Sequence, residues 1–322
     1  MELSRLKNRT ILLSALDWGF GHTTRCVPMI QTLIMANNTV VFAGNTEQIL
    51  FIKKEFPTIQ VEFLEGYNIV LSSKINTYLQ LIRQGVKIRN AIKAERIFVK
   101  NILRKYSIDL VLSDNRYGFR DSNIESIFIG HQFNLQLPKF EKTVNRFLAN
   151  LVNQFNRVWI VDDVSINLAG LLSNPIHLKV PYTYLGLLSR FNKKEVSIKY
   201  DYLIIVSGPK PENSIFLAEL ELLIKNSRLN FAIVSTVKSI HNFKHIHYFL
   251  NPSTRELNNL LNESEVVLSK SGYTTLMELS VLNKKAILIP TKGQFEQEYL
   301  ANYVKNDLFR FIKSSDVKGL FV

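Results

Sequence analysis

Short apolar runs alternate along this chain with longer stretches of helical spacing. In the first half the runs fall at 10–15, 39–43, 60–64, 109–113, 126–129 and 157–161. In the second they fall at 202–206, 231–234, 246–249, 266–268 and 286–289. Runs of this length, bounded by polar or glycine-containing breaks, read as strands. Helical spacing appears at about 45–55, 138–155 and 213–225, and at 253–261, where Ser253 with Glu256 three residues on forms a capping-box start. The alternation predicts an α/β protein of two Rossmann-like domains, 1–186 and 200–322, with parallel sheets facing a cleft. A polar passage at 187–199, rich in Lys and Ser, is expected to join them.

At 322 residues the chain exceeds what one core usually fills, in keeping with two domains. A hydrophobic content of 46% and a mean hydropathy of +0.03 describe a globular protein with material for two cores. The single cysteine, Cys26, excludes intramolecular disulfides and cysteine-cluster metal sites. Neither a signal-peptide pattern nor a membrane-length apolar run is present, so the expected location is the cytoplasm.

The net charge of +13 is concentrated between Lys74 and Lys105, where nine basic residues face Glu95 alone. Ile75, Leu79, Ile82, Val86, Ile92, Val99 and Leu103 interleave them, giving a basic amphipathic segment with a possible break at Gly85. Such a segment suits an anionic membrane surface, with a peripheral place on the inner face of the membrane, or equally a solvated face over a core. No nucleic-acid signature accompanies it, and nucleic acid is not an expected partner.

The chemistry concentrates in residues 265–302. The run 266–268 breaks at Ser269-Lys270-Ser271-Gly272, and a helix follows with Leu276, Leu279 and Leu282 on one face. The run 286–289 stops at Pro290, and a polar loop leads to a helix near Glu296. Both loops lie at the carboxyl ends of parallel strands, where ligands of open α/β sheets gather. Ser271, Gly272, Thr274 and Thr275 put small side chains, hydroxyls and backbone amides at a helix start, which suits a phosphate. The same start also suits an ordinary helix cap. Glu278, one turn in, offers two acceptor oxygens to a ribose diol, and Gln294, Glu296 and Gln297 offer donors and acceptors to sugar hydroxyls.

This pair of loops resembles the donor-binding signature of GT-B glycosyltransferases, especially glycosyltransferase family 28, the MurG-like enzymes. The resemblance implies that Ser271, Gly272, Thr274 and Thr275 hold a diphosphate, Glu278 the ribose, and Glu296 and Gln297 the donor sugar. Leu300-Ala301 stands where the family often has Asn-Ala. The first loop, Asp17-Trp18-Gly19-Phe20-Gly21-His22, with Thr24 and Arg25 after it, resembles the glycine-rich first loop of the same family. A helix is expected to begin between His22 and Val27, and Pro28, which fits best in a first turn, favours the later start.

The resemblance implies an inverting transferase that uses a UDP-sugar as co-substrate, without a further cofactor, on a glycan or lipid-linked acceptor. Inverting transfer needs a base for the acceptor hydroxyl and dipoles or cations for the leaving diphosphate. No Asp-x-Asp motif is present, and no bound metal is predicted. His22 is the candidate base and Asp114, at the end of another strand, its orienting acid, by analogy with the dyad of plant-type GT-B transferases. Gly19, Gly21, Arg25, Arg116 and His131 are placed on the acceptor side, and Ser207 and Gly208 near the donor phosphates. His241, His245 and His247 match no usual zinc spacing. Two other readings share these features: a nucleotide-sugar epimerase, and a non-catalytic protein that binds nucleotide sugars or polyanions.

Overall fold

The apolar runs fold as strands, and every pairing among the described residues is parallel. The structure, a computed structural model, describes residues 2–67, 84–137, 139–208, 211–239 and 241–321. Two units divide it, Met1–Arg190 and Phe191–Val322.

The first unit is built on β1 (Thr10–Ala15), β2 (Thr39–Gly44), β3 (Gln60–Phe63), β4 (Leu110–Asp114), β5 (Ser126–Gly130), β6 (Arg157–Ile160) and β7 (Tyr182–Tyr184), with α1 (Glu2–Arg5), α2 (Gly21–Met35), α3 (Thr46–Glu55), α4 (Gly85–Lys105) and α5 (Glu141–Val152). Its seven-stranded sheet runs β3-β2-β1-β4-β5-β6-β7. The order turns back between β1 and β4, so the loops after those two strands flank the switch point of the sheet. One layer of core is formed by Leu12, Val41 and Val111 from the sheet against Val99 and Ile102 of α4.

The second unit contains β8 (Tyr200–Val206), β9 (Phe231–Ser235), β10 (Ile246–Leu250), β11 (Ser264–Lys270), β12 (Ala286–Ile289) and β13 (Phe309–Phe311). Its helices are α6 (Glu212–Ile224), α7 (Thr254–Asn262), α8 (Tyr273–Val281) and α9 (Phe295–Tyr303). The six-stranded sheet runs β10-β9-β8-β11-β12-β13 and turns back between β8 and β11. Strands buried on both faces explain the unbroken apolar runs of the sequence. The expected start of α7 is present in full: Ser253 Oγ accepts from Glu256 N, and Ser253 N donates to Glu256 Oε2.

Three expectations change. First, α2 begins at Gly21 rather than after His22, and Pro28 lies inside it. Two bonds hold that first turn, one from another helix and one local: Gln48 Nε2 donates to Thr23 Oγ1 at 2.9 Å, and Thr24 Oγ1 donates to Gly21 O within the turn at 3.1 Å. They outweigh the ladder bond that a proline cannot donate. Second, residues 191–199 are not a free passage. Asn192 N donates to Asn258 Oδ1 and Lys194 N to Asn262 Oδ1, which lays this stretch along α7 of the second unit. Third, β7 and a 3-10 turn at Gly170–Ser173 were not expected, being too short to show a period. Residues 74–83 of the basic segment, with Lys74 and Arg83, lie outside the described residues, as do Pro138 and Pro209. No helix among the described residues is long and apolar enough to cross a membrane.

Candidate functional site

In the first unit, four side chains converge at the switch point. His22 and Arg25 sit one turn apart at the start of α2, Asp114 ends β4, and His131 follows β5. The loop before them requires glycine at Gly19, whose φ of +83° lies in the left-handed region. His22 Nδ1 donates to Asp114 Oδ1 at 2.7 Å. Arg25 grips the same carboxylate with two donors, Nε to Oδ2 and Nη2 to Oδ1, a planar fork on a planar acceptor. Its Nη1 lies 2.9 Å from His131 Nδ1.

Burial alone would raise the Asp114 carboxyl. The Arg25 guanidinium and the His22 ring outweigh it, and the group is held below the usual carboxylate range. With Nδ1–H committed to Asp114, the neutral His22 ring keeps its lone pair on Nε2. His22 retains 14% exposure, whereas the side chains of Asp114 and Arg25 are at 0% and 1%. Of this group, then, His22 is the one open to a reactant. Arg25 and His131 were expected to touch an acceptor; the structure places both in the buried support of His22.

Arg116 departs from expectation for a similar reason. Its guanidinium is closed off from solvent, with Nε donating to Glu95 Oε1 at 2.7 Å, Nη2 to Glu65 O at 2.7 Å and Nη1 to Ala15 O at 3.2 Å. Glu95 also accepts from Gly118 N and Tyr67 Oη. The only acid of the basic segment is therefore turned inward, and Arg116 is a core ion pair rather than a ligand contact. No sequence signal marks a loop arginine as buried.

In the second unit, the loops after β8, β11 and β12 follow three adjacent strands. Ser207 and Gly208 close β8, both exposed, with Gly208 at φ +115°. After β11, Gly272 is the N-cap of α8 and no side chain caps the helix. Ser271 is fully buried, and its hydroxyl makes no hydrogen bond in the structure. A Cβ at Gly272 would meet no atom within 4 Å, so the approach to this helix start is open. Gly272 thus caps the helix through its backbone alone, and the Ser271 hydroxyl takes no part in the cap. Thr274 and Thr275 are half-buried in the first turn, and Glu278 is buried one turn on.

Lys270, which the sequence reading passed over, ends β11 immediately before Ser271. Its Nζ lies 5.5 Å from the centre of the Phe216 ring, and burial lowers its pKa. A lysine at the carboxyl end of a buried strand, next to a candidate phosphate loop, is the signal that could have found it.

The loop after β12 braces itself. Thr291 N donates to Gln297 Oε1 at 2.9 Å, Gln297 Nε2 donates to Gln294 Oε1, and Gly293 N donates to Glu298 Oε1 at 2.8 Å. Gln294 and Gln297, expected at sugar hydroxyls, thus hold the loop's own shape. Glu298, not expected, does the same at Gly293, whose φ is +84°. Glu296 is half-buried at the start of α9. The histidines near β10 do not gather: His241 Nδ1 meets Glu221 Oε2 at 2.9 Å, and His245 Nε2 donates to Ile224 O.

Two α/β units of parallel strands, each with its polar groups at the turn-back of the sheet, define the GT-B class, and solved structures agree. Arabidopsis thaliana UGT89C1 superposes with a TM-score of 0.65 at 10% identity, covering 97% of this chain and 87% of that one. TcCGT1, solved in complex with UDP, gives a TM-score of 0.63 at 11% identity, covering 98% and 90%. The family likeness is in the second unit, where residues 221–313 match the Glycosyltransferase family 28 C-terminal domain. A relative from Prochlorococcus marinus subsp. pastoris, UDP-N-acetylglucosamine--N-acetylmuramyl-(pentapeptide) pyrophosphoryl-undecaprenol N-acetylglucosamine transferase, is 34% identical over 88 residues. That alignment covers 26% of this chain and 23% of the relative. The chain is a GT-B-fold protein resembling glycosyltransferase family 28.

Proposed function

We propose that this protein transfers a hexosyl group from a UDP-sugar to a hydroxyl of a glycan or lipid-linked acceptor, with inversion and without a metal. Ser271 carries the reading. A fully buried hydroxyl without a partner, at a helix start that no side chain caps on the switch point of its sheet, is a group awaiting an acceptor atom such as a phosphate oxygen. The match of residues 221–313 supports the same use, and the uridine preference follows the relative's name and the UDP of TcCGT1.

In this reading the second unit binds the diphosphate at the start of α8, with Lys270 as a nearby cation and Glu278 on the ribose. The first unit supplies the base. His22 Nε2 takes the proton of the acceptor hydroxyl as its oxygen bonds to the anomeric carbon, and the bond from that carbon to the diphosphate breaks with its electron pair leaving on UDP. Asp114 holds the ring and balances the imidazolium that forms.

The acceptor is met, on this proposal, at an anionic lipid surface on the cytoplasmic side. The described part of the basic segment supports that, since α4 exposes Lys87, Arg89, Lys93 and Lys100 alongside Val86 and Ile97.

Calorimetry with UDP and assay of free UDP from UDP-sugars test the reading. Glu278→Ala should weaken UDP binding by about 1.5–3 kcal/mol, the scale of a hydrogen bond to a charged group. His22→Ala should lower turnover roughly 10²–10⁴-fold with UDP affinity nearly intact. UDP release that does not depend on an acceptor, or no UDP binding at all, would overturn it.

A further inference from the structure

The first-unit cluster holds more than a base and its acid. It is a chain of hydrogen bonds that ends on the one partly exposed ring. His131 Nδ1 lies 2.9 Å from Arg25 Nη1, and an arginine nitrogen can only donate, so this histidine nitrogen accepts. The neutral His131 ring then carries its proton on Nε2. Arg25 places two more donors, Nε and Nη2, on the two oxygens of Asp114, and Asp114 in turn receives Nδ1–H of His22. The two rings, with centres 6.4 Å apart, are thereby held in opposite tautomers through one arginine–aspartate pair.

We infer that His131 is a positioning residue that acts through Arg25: its Nδ1 anchors the guanidinium, which fixes the Asp114 carboxylate and so the Nδ1–H tautomer of His22. The inference rests on the transferase reading for its kinetic consequences, but the tautomer of His22 follows from the cluster alone. Burial supports this role over direct acceptor contact. His131 is 3% exposed and its Nδ1 faces the guanidinium. Without that anchor the guanidinium loses the contact that fixes its Nη1 end, and the fork on Asp114 is freer to turn. A small rotation of Asp114 moves His22, and a misplacement of about an ångström is enough to cost a reaction heavily.

Which nitrogen of His131 matters can be separated by substitution. Asparagine places an acceptor oxygen near the position of Nδ1, whereas glutamine reaches toward Nε2 and leucine supplies neither. Nitrogen-15 NMR of histidine-labelled protein reads the His22 tautomer directly, its signals assigned by their loss in His22→Gln. His131→Asn should retain the Nδ1–H pattern of His22 and a turnover close to that of the parent. His131→Gln and His131→Leu should blur that pattern and lower kcat by roughly 10- to 100-fold with KM for the UDP-sugar little changed.

Equal behaviour of all three variants would overturn the inference, as would a functional His131→Gln beside a damaged His131→Asn, since His131 would then act through Nε2. Should His131→Leu fail to fold, the Asn and Gln pair still decides. The spectral arm needs no substrate. Loss of the tautomer pattern in Gln with its retention in Asn supports the inference even where no sugar is transferred, a result that would count against the transferase reading alone.

Discussion

Arg116 Nε meets Glu95 Oε1 at 2.7 Å with both side chains closed off from solvent, at 0% and 2% exposure. The pair joins the loop after β4 to α4 and leaves the outward side of that helix without an acid. Removing one partner strands the other charge. Arg116→Met should lower the unfolding free energy by about 3–5 kcal/mol, read by urea denaturation. UDP affinity should stay unchanged in the folded fraction. A variant as stable as the parent with a raised KM for the acceptor would return Arg116 to the acceptor side.

Ser271→Ala separates a ligand contact from a cap. Loss of a capping serine costs about 1 kcal/mol of stability. Because the Ser271 hydroxyl has no partner in the free protein, its removal should leave stability unchanged or raise it by up to about 1 kcal/mol. Affinity for UDP should fall by about 1.5–3 kcal/mol, as for a hydrogen bond to a charged phosphate. Denaturation and calorimetry on the same sample check both directions.

The pH dependence of stability should carry the mark of Asp114. Its folded pKa lies below the ordinary 3.8, so its stabilising share is complete above about 3.8. As pH falls further the unfolded chain takes the proton first, and the share is gone once the folded value is passed. Asp114→Asn, which removes the charge that Arg25 grips, should be less stable than the parent at neutral pH. The gap should narrow from about pH 4 downward. A gap of constant size would show that the carboxylate charge contributes nothing.

The basic face of α4 gives a salt-dependent prediction. Binding to anionic vesicles should fall steeply as salt rises, because exposed charges are screened over about 10 Å at 0.1 M. Reversal of Lys87, Arg89 and Lys93 to Glu should abolish it. Equal binding to neutral vesicles, or none to either kind, would leave α4 as a solvated face.

Much of this fold was legible because buried parallel strands are written as unbroken apolar runs. Residues 10–15 and 286–289 match β1 and β12 end for end. Tyr182–Tyr184 carries no such signature, since three alternating residues at a sheet edge show no period. Pro28 misled for a physical reason: proline favours a first turn on local grounds, and tertiary ties at Thr23 and Arg25 overrode that preference. At the candidate site, polar residues at strand ends pointed to the loops where His22 and Asp114 come together. Direction was hidden. Nothing in the chain distinguishes a charge turned outward, as Lys93 is, from one turned inward, as Arg116 and Arg25 are. The glutamines after β12 were placed on the right loop, but that loop uses them on itself.

Both sheets turn back beside their own first strand, so each unit fixes a place for chemistry by strand order rather than by particular side chains. Strand order is inherited as topology and survives replacement of most residues, as superposition with Arabidopsis thaliana UGT89C1 at 10% identity illustrates. The exposed positions of such loops can therefore vary in sequence while the strands beneath them are kept. Exposed positions such as Phe20, Ser207 and Gly208 can change at little cost to the interior, while the apolar strands hold the places to which these loops are delivered.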